Sequence, residues 1–447
     1  MHSRRQRYIY KKERVSRHRR VFPYILVAVI AAAGSFLILA GCYLYGVSSR
    51  EPVSSAVQLQ KESVSLPVSA KPEVSLEADA TIVSAGDIVM HTPFLRSSLY
   101  HKEDGTYDYH PVFAYVKDFF ENADYAVVNL ECILSDGDYS DYPVFRSPDA
   151  IADALQDAGV DLCLLVNNHI YDNFDEGLSL TTGYLEQKSL SYTGVKKEAK
   201  DQEYTIQNIN GITVGIFNYV YETPAYGGQK TINAIPVSDE SAALINSFNY
   251  GDLDSFYDSI HKGLQEMQTE GVEYTIAYLH WGEEYALIEN DNQRQIAQKL
   301  CDLGIDAIIG GHPHVVQPAD VLTSASGDHQ TVCIYSVGNL VSNQRTEYME
   351  GLTQGHTEDG VIVTLTIHRD LKGAVSLTDV TLVPIWVYHS MTYGGEHYIL
   401  PLSSPDTLTE STGLDHISED VNASLERTNA VIGTGIEKIQ SSLPIAR

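Results

Sequence analysis

Five clusters of Asp, Asn, Glu and His punctuate the 447-residue chain, each just after a run of aliphatic or β-branched residues. They are Gly86-Asp87, Asn129-Leu130-Glu131, Asn167-Asn168-His169 with Asp172 shortly after, His280-Trp281-Gly282-Glu283-Glu284, and Gly310-Gly311-His312-Pro313-His314. Carboxylate, amide and imidazole are hard or borderline ligands that suit Zn, Mn or Fe. Taken singly, each cluster has a plainer reading. An Asp after a strand is commonly a cap or turn former, Asn168-His169 can close an Asx turn, and His280 beside Trp281 can be a core histidine. His312-Pro313-His314 is more pointed, because two rings in an extended segment reach one side of a loop. Independent structural roles would not place all five clusters at successive strand ends, so convergence on one metal-assisted site is expected.

The elements that must position them follow from periodicity. Residues 81–85, 125–129, 162–166, 212–217, 274–279 and 307–309 read as buried strands. Between them, Ser147 is placed to cap a helix with Pro148 at its first position, Ile151, Ala154, Leu155 and Ala158 on one face, and Gly159 as the stop. A second helix spans 292–303 on Ile296, Leu300 and Leu303 and closes at Gly304. Alternating strands and helices predict an α/β body, in which chemistry collects at the carboxyl ends of the strands. Strands at 332–336, 361–367 and 380–384 come with fewer helices and suggest a mixed or second sheet. Residues 401–447 read as a polar tail with one helix near 420–430.

Charge divides the chain. Residues 1–20 hold nine of the 30 Lys and Arg and one acid, Glu13, which leaves a net charge of −37 after Arg20. Such a body excludes a nucleic-acid binder, which needs Lys and Arg against phosphates. Residues 21–49 carry no charge, and 22–47 exceed the roughly 20 apolar residues a helix needs to cross a bilayer. The expected organisation is a cytoplasmic basic segment (1–20), a single-pass transmembrane anchor (21–47), an extracellular stalk (48–79), the α/β domain (80–400) and the tail (401–447). Leu39-Ala40-Gly41-Cys42 offers the alternative of a lipoprotein anchored at Cys42. Cys132, Cys163, Cys301 and Cys333 lie in or beside apolar runs without C-x-x-C spacing and read as small buried hydrophobes.

The series Gly86-Asp87-Ile88-Val89-Met90, Asn129-Leu130-Glu131, Asn168-His169-x-x-Asp172, His280-Trp281-Gly282-x-Glu284-Tyr285, Gly311-His312-Pro313-His314-Val315-Val316-Gln317 and Tyr335-Ser336-Val337-Gly338-Asn339-Leu340 resembles the capsule poly-γ-glutamate synthesis family (CapA/PgsA-like) over about residues 80–342. That family is similar in turn to calcineurin-like metallophosphoesterases. The resemblance implies a four-layer α/β/β/α sandwich behind the transmembrane helix, with a metal site on one edge. It implies divalent Mn, Zn or Fe, one or two ions, held by Asp87, Glu131, Asn168, His280, His312 and His314. By the same resemblance His169, oriented by Asp172, protonates the leaving group. If the loop after His280 is helical, Glu284 lies one turn from that residue and is placed to orient its imidazole, and Gln317 and Asn339 are candidates to hydrogen-bond substrate. Two departures stand out: Val89 occupies a position where phosphoesterases carry a histidine, with His91 two residues further on, and Asn129-Leu130-Glu131 replaces the bridging-aspartate motif. Implied partners are the cell membrane, polyglutamate synthase subunits and an anionic envelope polymer, for which Arg96, Arg146 and Arg345 are candidate cations. Two other functions fit: a non-catalytic assembly or export subunit, and a phosphoesterase acting on envelope polymers.

Overall fold

The first strand, Ala78–Ile88, sends alternate side chains to opposite faces: Val83 and Ala85 enter one apolar cluster, Ala80 and Ile82 another. The computed structural model describes residues 77–349, 354–390 and 396–447. The basic segment and the apolar run at 21–47 lie outside the described residues, among which no helix is long and apolar enough to cross a membrane.

Ala78–Ile88 sits centrally in a sheet ordered Glu396–Pro401, Val375–Ser390, Asp359–Arg369, Ala78–Ile88, Tyr125–Leu130, Leu162–Leu164, Ser191–Thr193. It runs parallel to Tyr125–Leu130 and antiparallel to Asp359–Arg369, and its end also pairs with Asn339–Val341. A second sheet is ordered Ser247–Phe248, Ile212–Tyr221, Tyr274–His280, Ala307–Gly311, Gln330–Ile334, Ala319–Thr323.

Side chains sort the sheets into layers. Ile82, Val127 and Leu164 of the first sheet meet Val214, Ile216, Ile276 and Ile309 of the second. On the first sheet's other face, Val128 and Cys163 share a cluster with Ile151, Leu155, Leu178 and Leu185 of helices Ala150–Asp157 and Phe174–Gln187. On the second sheet's outer face, Phe217, Ala277 and Leu279 cluster with Phe256, Ile260, Ile296 and Leu300 of helices Leu253–Thr269 and Asp291–Leu303. The result is a mixed α/β fold layered helix, sheet, sheet, helix. Cys132, Cys163, Cys301 and Cys333 are buried free thiols.

Two expectations need correction. The first helix starts at Ala150 with Asp149 at its N-cap, because Arg146–Pro148 is taken into a parallel pairing with Ile133–Ser135. Ser147 is therefore strand, not cap. Residues 401–447 form two helices, Pro405–Thr412 and Ser418–Ser442, and a short strand, Ile445–Ala446, paired to Val375–Ser390. Val421, Ile432 and Ile439 of the long helix are fully buried, worth about 1.5–3 kcal/mol apiece. The expected helix at 292–303 is present as Asp291–Leu303, with a capping box between Asn290 and Gln293.

Candidate metal centre

Register brings the clusters together. In the first sheet Asp87 is opposite Asn129 on one side and Asn339 on the other. In the second, His280 is opposite Gly311. The two sheet ends touch where Asp87 Oδ2 accepts the His312 backbone N–H at 3.1 Å. A Cβ on Gly311 would lie 2.7 Å from Asp87 Oδ1, and one on Gly310 2.0 Å from the Tyr335 carbonyl oxygen. The Gly310-Gly311 pair thus permits the close approach on which the site depends.

Asp87 and Glu131 are fully buried. Ligand atoms of Glu131, His280 and His312 lie within 4.8 Å of one another, and so do those of Asp87, Glu131 and His314. Glu131 belongs to both groups. Its backbone N–H bonds the Ile88 carbonyl oxygen at 3.1 Å, fixing the side chain between the sheets. Neither carboxylate oxygen has a hydrogen-bond partner among the described residues, and neither does His312 Nδ1. A buried carboxylate lacking donors is costly unless a cation occupies the site. The donor set (two carboxylates, three imidazoles, one amide oxygen) fits divalent Zn, Mn or Fe.

His312 and His314 do not lie in an extended segment, as expected from sequence. Both adopt left-handed backbone, with φ of +96° and +56°. That strain in non-glycine residues turns one ring toward each ligand group. Burial and the neighbouring His280 and His314 hold the His312 imidazole well below its ordinary 6.5, which keeps it neutral. Burial also pushes His314 down, but Glu131 and Asp87 outweigh it and raise that ring to about 9. Burial would raise Asp87, yet His314, His280 and Asn129 hold it below 3.8.

Asn168 joins the site, with its Oδ1 2.6 Å from His280 Nε2. His169 Nδ1 lies 2.8 Å from Asp172 Oδ2. The Asx turn belongs to Asn167, whose Oδ1 accepts the His169 backbone N–H at 3.1 Å, leaving Asn168 free to face His280. Asn339 stands behind the site, with its Oδ1 3.0 Å from His314 Nδ1.

Three expected residues are placed differently. Glu284 is exposed in a non-helical loop where Gly282 and Tyr285 have positive φ, and its charge acts on Tyr285 and His314. Gln317 is fully buried, with its amide committed to Gln293 and to the Ala286 carbonyl, each at 2.8 Å. Arg345 is paired with Glu358 at 2.8 Å, which removes it as a free cation. Arg146 donates from Nε to Ser140 Oγ, and Arg96 is exposed. Val89 is buried in the helix-side cluster and offers no ligand.

Asn129 has a role that the sequence did not disclose. Its amide donates to Asp87 Oδ1 at 2.7 Å and lies 3.4 Å from His280 Nδ1, linking the two sheets at the site.

Residues 81–344 match the family described as "Bacterial capsule synthesis protein PGA_cap". The chain is 28% identical over 258 residues to "Capsule biosynthesis protein CapA" of Bacillus anthracis, covering 56% of this chain and 58% of that one. It is 24% identical over 278 residues to "PGA biosynthesis protein CapA" of Bacillus subtilis (strain 168), covering 61% and 65%. The chain thus matches less than two thirds of either relative's length. Solved structures similar to it include a phosphatase from Mycoplasma pneumoniae, at 14% identity and a TM-score of 0.38, covering 69% of this chain and 94% of that one. Another is the calcineurin-like phosphoesterase YfkN from Bacillus subtilis, at 14% identity and a TM-score of 0.39, covering 81% and 99%.

Proposed function

Since the chain belongs to the bacterial capsule synthesis PGA_cap family, we propose that it is a membrane-anchored, outward-facing protein of capsule or poly-γ-glutamate biosynthesis with a metal-dependent hydrolase centre. One observation carries the catalytic part: Glu131, fully buried and without a hydrogen-bond partner among the described residues, lies where two three-ligand groups overlap. Glu131 with His280, His312 and Asn168 would hold one divalent ion, and Glu131 with Asp87 and His314 a second. Such ions supply Lewis-acid polarisation of the scissile group and activation of water. Asn129 keeps Asp87 aimed. Asp172 accepts from His169 Nδ1 and fixes the ring's orientation, which leaves Nε2 to pass a proton to the departing atom.

A second reading, a non-catalytic assembly or export subunit, is favoured by charge. A body at −37 repels a polyanionic chain. Metal analysis of the purified protein, together with turnover of phosphodiester and γ-glutamyl model substrates, separates the two. Bound metal with turnover of either class supports the hydrolase. Bound metal without turnover moves the assignment to the assembly subunit, and absence of metal rejects the centre.

The nine cations ahead of the apolar run support an outward-facing body. Protease applied to intact cells then removes it, whereas digestion only after permeabilisation reverses the orientation. A Cys42→Ser change leaves size and membrane association intact if the anchor is the transmembrane helix, and alters processing if it is a lipid.

A further inference from the structure

His91 follows the first strand, four residues past Asp87, and belongs to neither ligand group. Its ring stands edge-on to Phe145 at 5.2 Å, and the same Phe145 ring meets His169 edge-on at 4.7 Å. One aromatic ring therefore backs both imidazoles. His314 and His169 both lie within electrostatic reach of the His91 ring, as does Asp141.

The ring's two nitrogens have different surroundings. Nδ1 is 3.1 Å from both the Asn343 backbone N–H and the Val89 carbonyl oxygen. The Val89 oxygen already accepts the His91 backbone N–H at 3.1 Å, while Asn343 N–H is a donor whatever the tautomer. The assignment that satisfies every group makes Nδ1 an acceptor and puts the ring proton on Nε2. Nε2 has no protein partner among the described residues, and the residue keeps 9% of its surface open.

We propose that His91 is a substrate-binding residue whose Nε2–H donates to an anionic oxygen, phosphoryl or carboxylate, of the molecule held at the metal centre. The loop at Asn343 sets the tautomer, and Phe145 sets the ring's direction beside His169. The position Val89 vacates is thus not refilled by another ligand; His91 serves the substrate side. This inference rests on the metal-centre reading but not on turnover, because binding alone tests it.

The test uses the full-length chain loaded with Mn and reads metal content, and affinity for inorganic phosphate and for glutamate, by calorimetry. His91→Asn retains an acceptor for Asn343 N–H and removes the Nε2 donor. His91→Gln restores a donor at longer reach. His91→Phe, which keeps the ring packed on Phe145, serves if the Asn variant does not fold. The expected result is unchanged metal content with affinity for at least one anion reduced about 10-fold or more in His91→Asn and partly recovered in His91→Gln. Loss for phosphate alone assigns a phosphoryl group, and loss for glutamate alone a carboxylate. Unchanged affinity in every variant, loss of metal in every variant, or failure of the wild-type protein to bind either anion overturns the proposal.

Discussion

Asp172 Oδ2 lies 2.8 Å from His169 Nδ1 and also accepts the Phe145 backbone N–H at 2.7 Å. One carboxylate oxygen therefore fixes both the imidazole and the wall it leans on. Asp172→Asn and His169→Asn should each lower turnover by about 10²–10⁴ while metal content stays near normal. Kinetics beside metal analysis of the same preparations checks this. Wild-type surface polymer in a His169→Asn strain would remove His169 from the chemistry.

Glu131→Gln tests the carboxylate from two sides. The amide cannot serve both ligand groups as a carboxylate does, so bound metal should fall sharply. In chelator-treated protein the same change removes the carboxylate whose Oε1 lies 3.7 Å from His314 Nε2 and which helps hold that ring up at about 9. The pH at which the metal-free protein loses the His314 contribution should therefore move down in the variant, read by thermal melts across pH.

His280→Ala and His312→Ala each delete an imidazole ligand, and metal content should drop in both. Far-UV circular dichroism should barely change, because the clusters between the layers do not include these rings. Full metal retention in both variants would reject the site.

The pH dependence of the metal-free protein follows from His314. Its folded value, about 9, exceeds the ordinary 6.5, so its stabilising contribution is full below about pH 6.5 and lost as pH rises through about 9. Melting temperature after chelation should decline across that window, and His314→Gln should flatten the decline. A metal ion must displace this proton, so metal affinity should rise over the same range. A flat melting profile in the wild-type protein would contradict the charged state of His314.

Gly435 faces the Ala319 carbonyl oxygen so closely that a Cβ would lie 2.1 Å from it. Gly435→Ala should destabilise by about 1–3 kcal/mol through displacement of the C-terminal helix, read by chemical denaturation. Metal content should be unaffected, since neither residue belongs to a ligand group.

The strand-end clusters are legible in the sequence because a parallel sheet delivers polar residues to one edge, and the register places Asp87, Glu131, Asn168, His280, His312 and His314 there. How His312 and His314 are aimed is not legible, since positive φ in a histidine leaves no local pattern. The 281–290 loop misleads because Gly282 and Tyr285 take left-handed backbone and break the helical spacing that would put Glu284 under His280. The helix expected near 420–430 is present within Ser418–Ser442, but its full length and burial are hidden for another reason. Its buried stripe is Val421, Ser424, Thr428, Ile432, Gly435 and Ile439, half of it small or polar, and only its tertiary partner makes it a core face. Ser147 shows the same override, a good cap residue recruited by strand pairing.

Asp87 pairs with Asn339 across the first sheet, and Asn339 in turn meets His314. All six proposed ligands precede residue 315, yet the strand that brackets Asp87 and the amide beside His314 come later. A growing chain therefore holds its complete ligand set before it can orient it. Pairings between such distant segments close late compared with local helices. A copy that ends before residue 339, though it contains every proposed ligand, lacks the strand that pairs with Asp87 and the amide that meets His314.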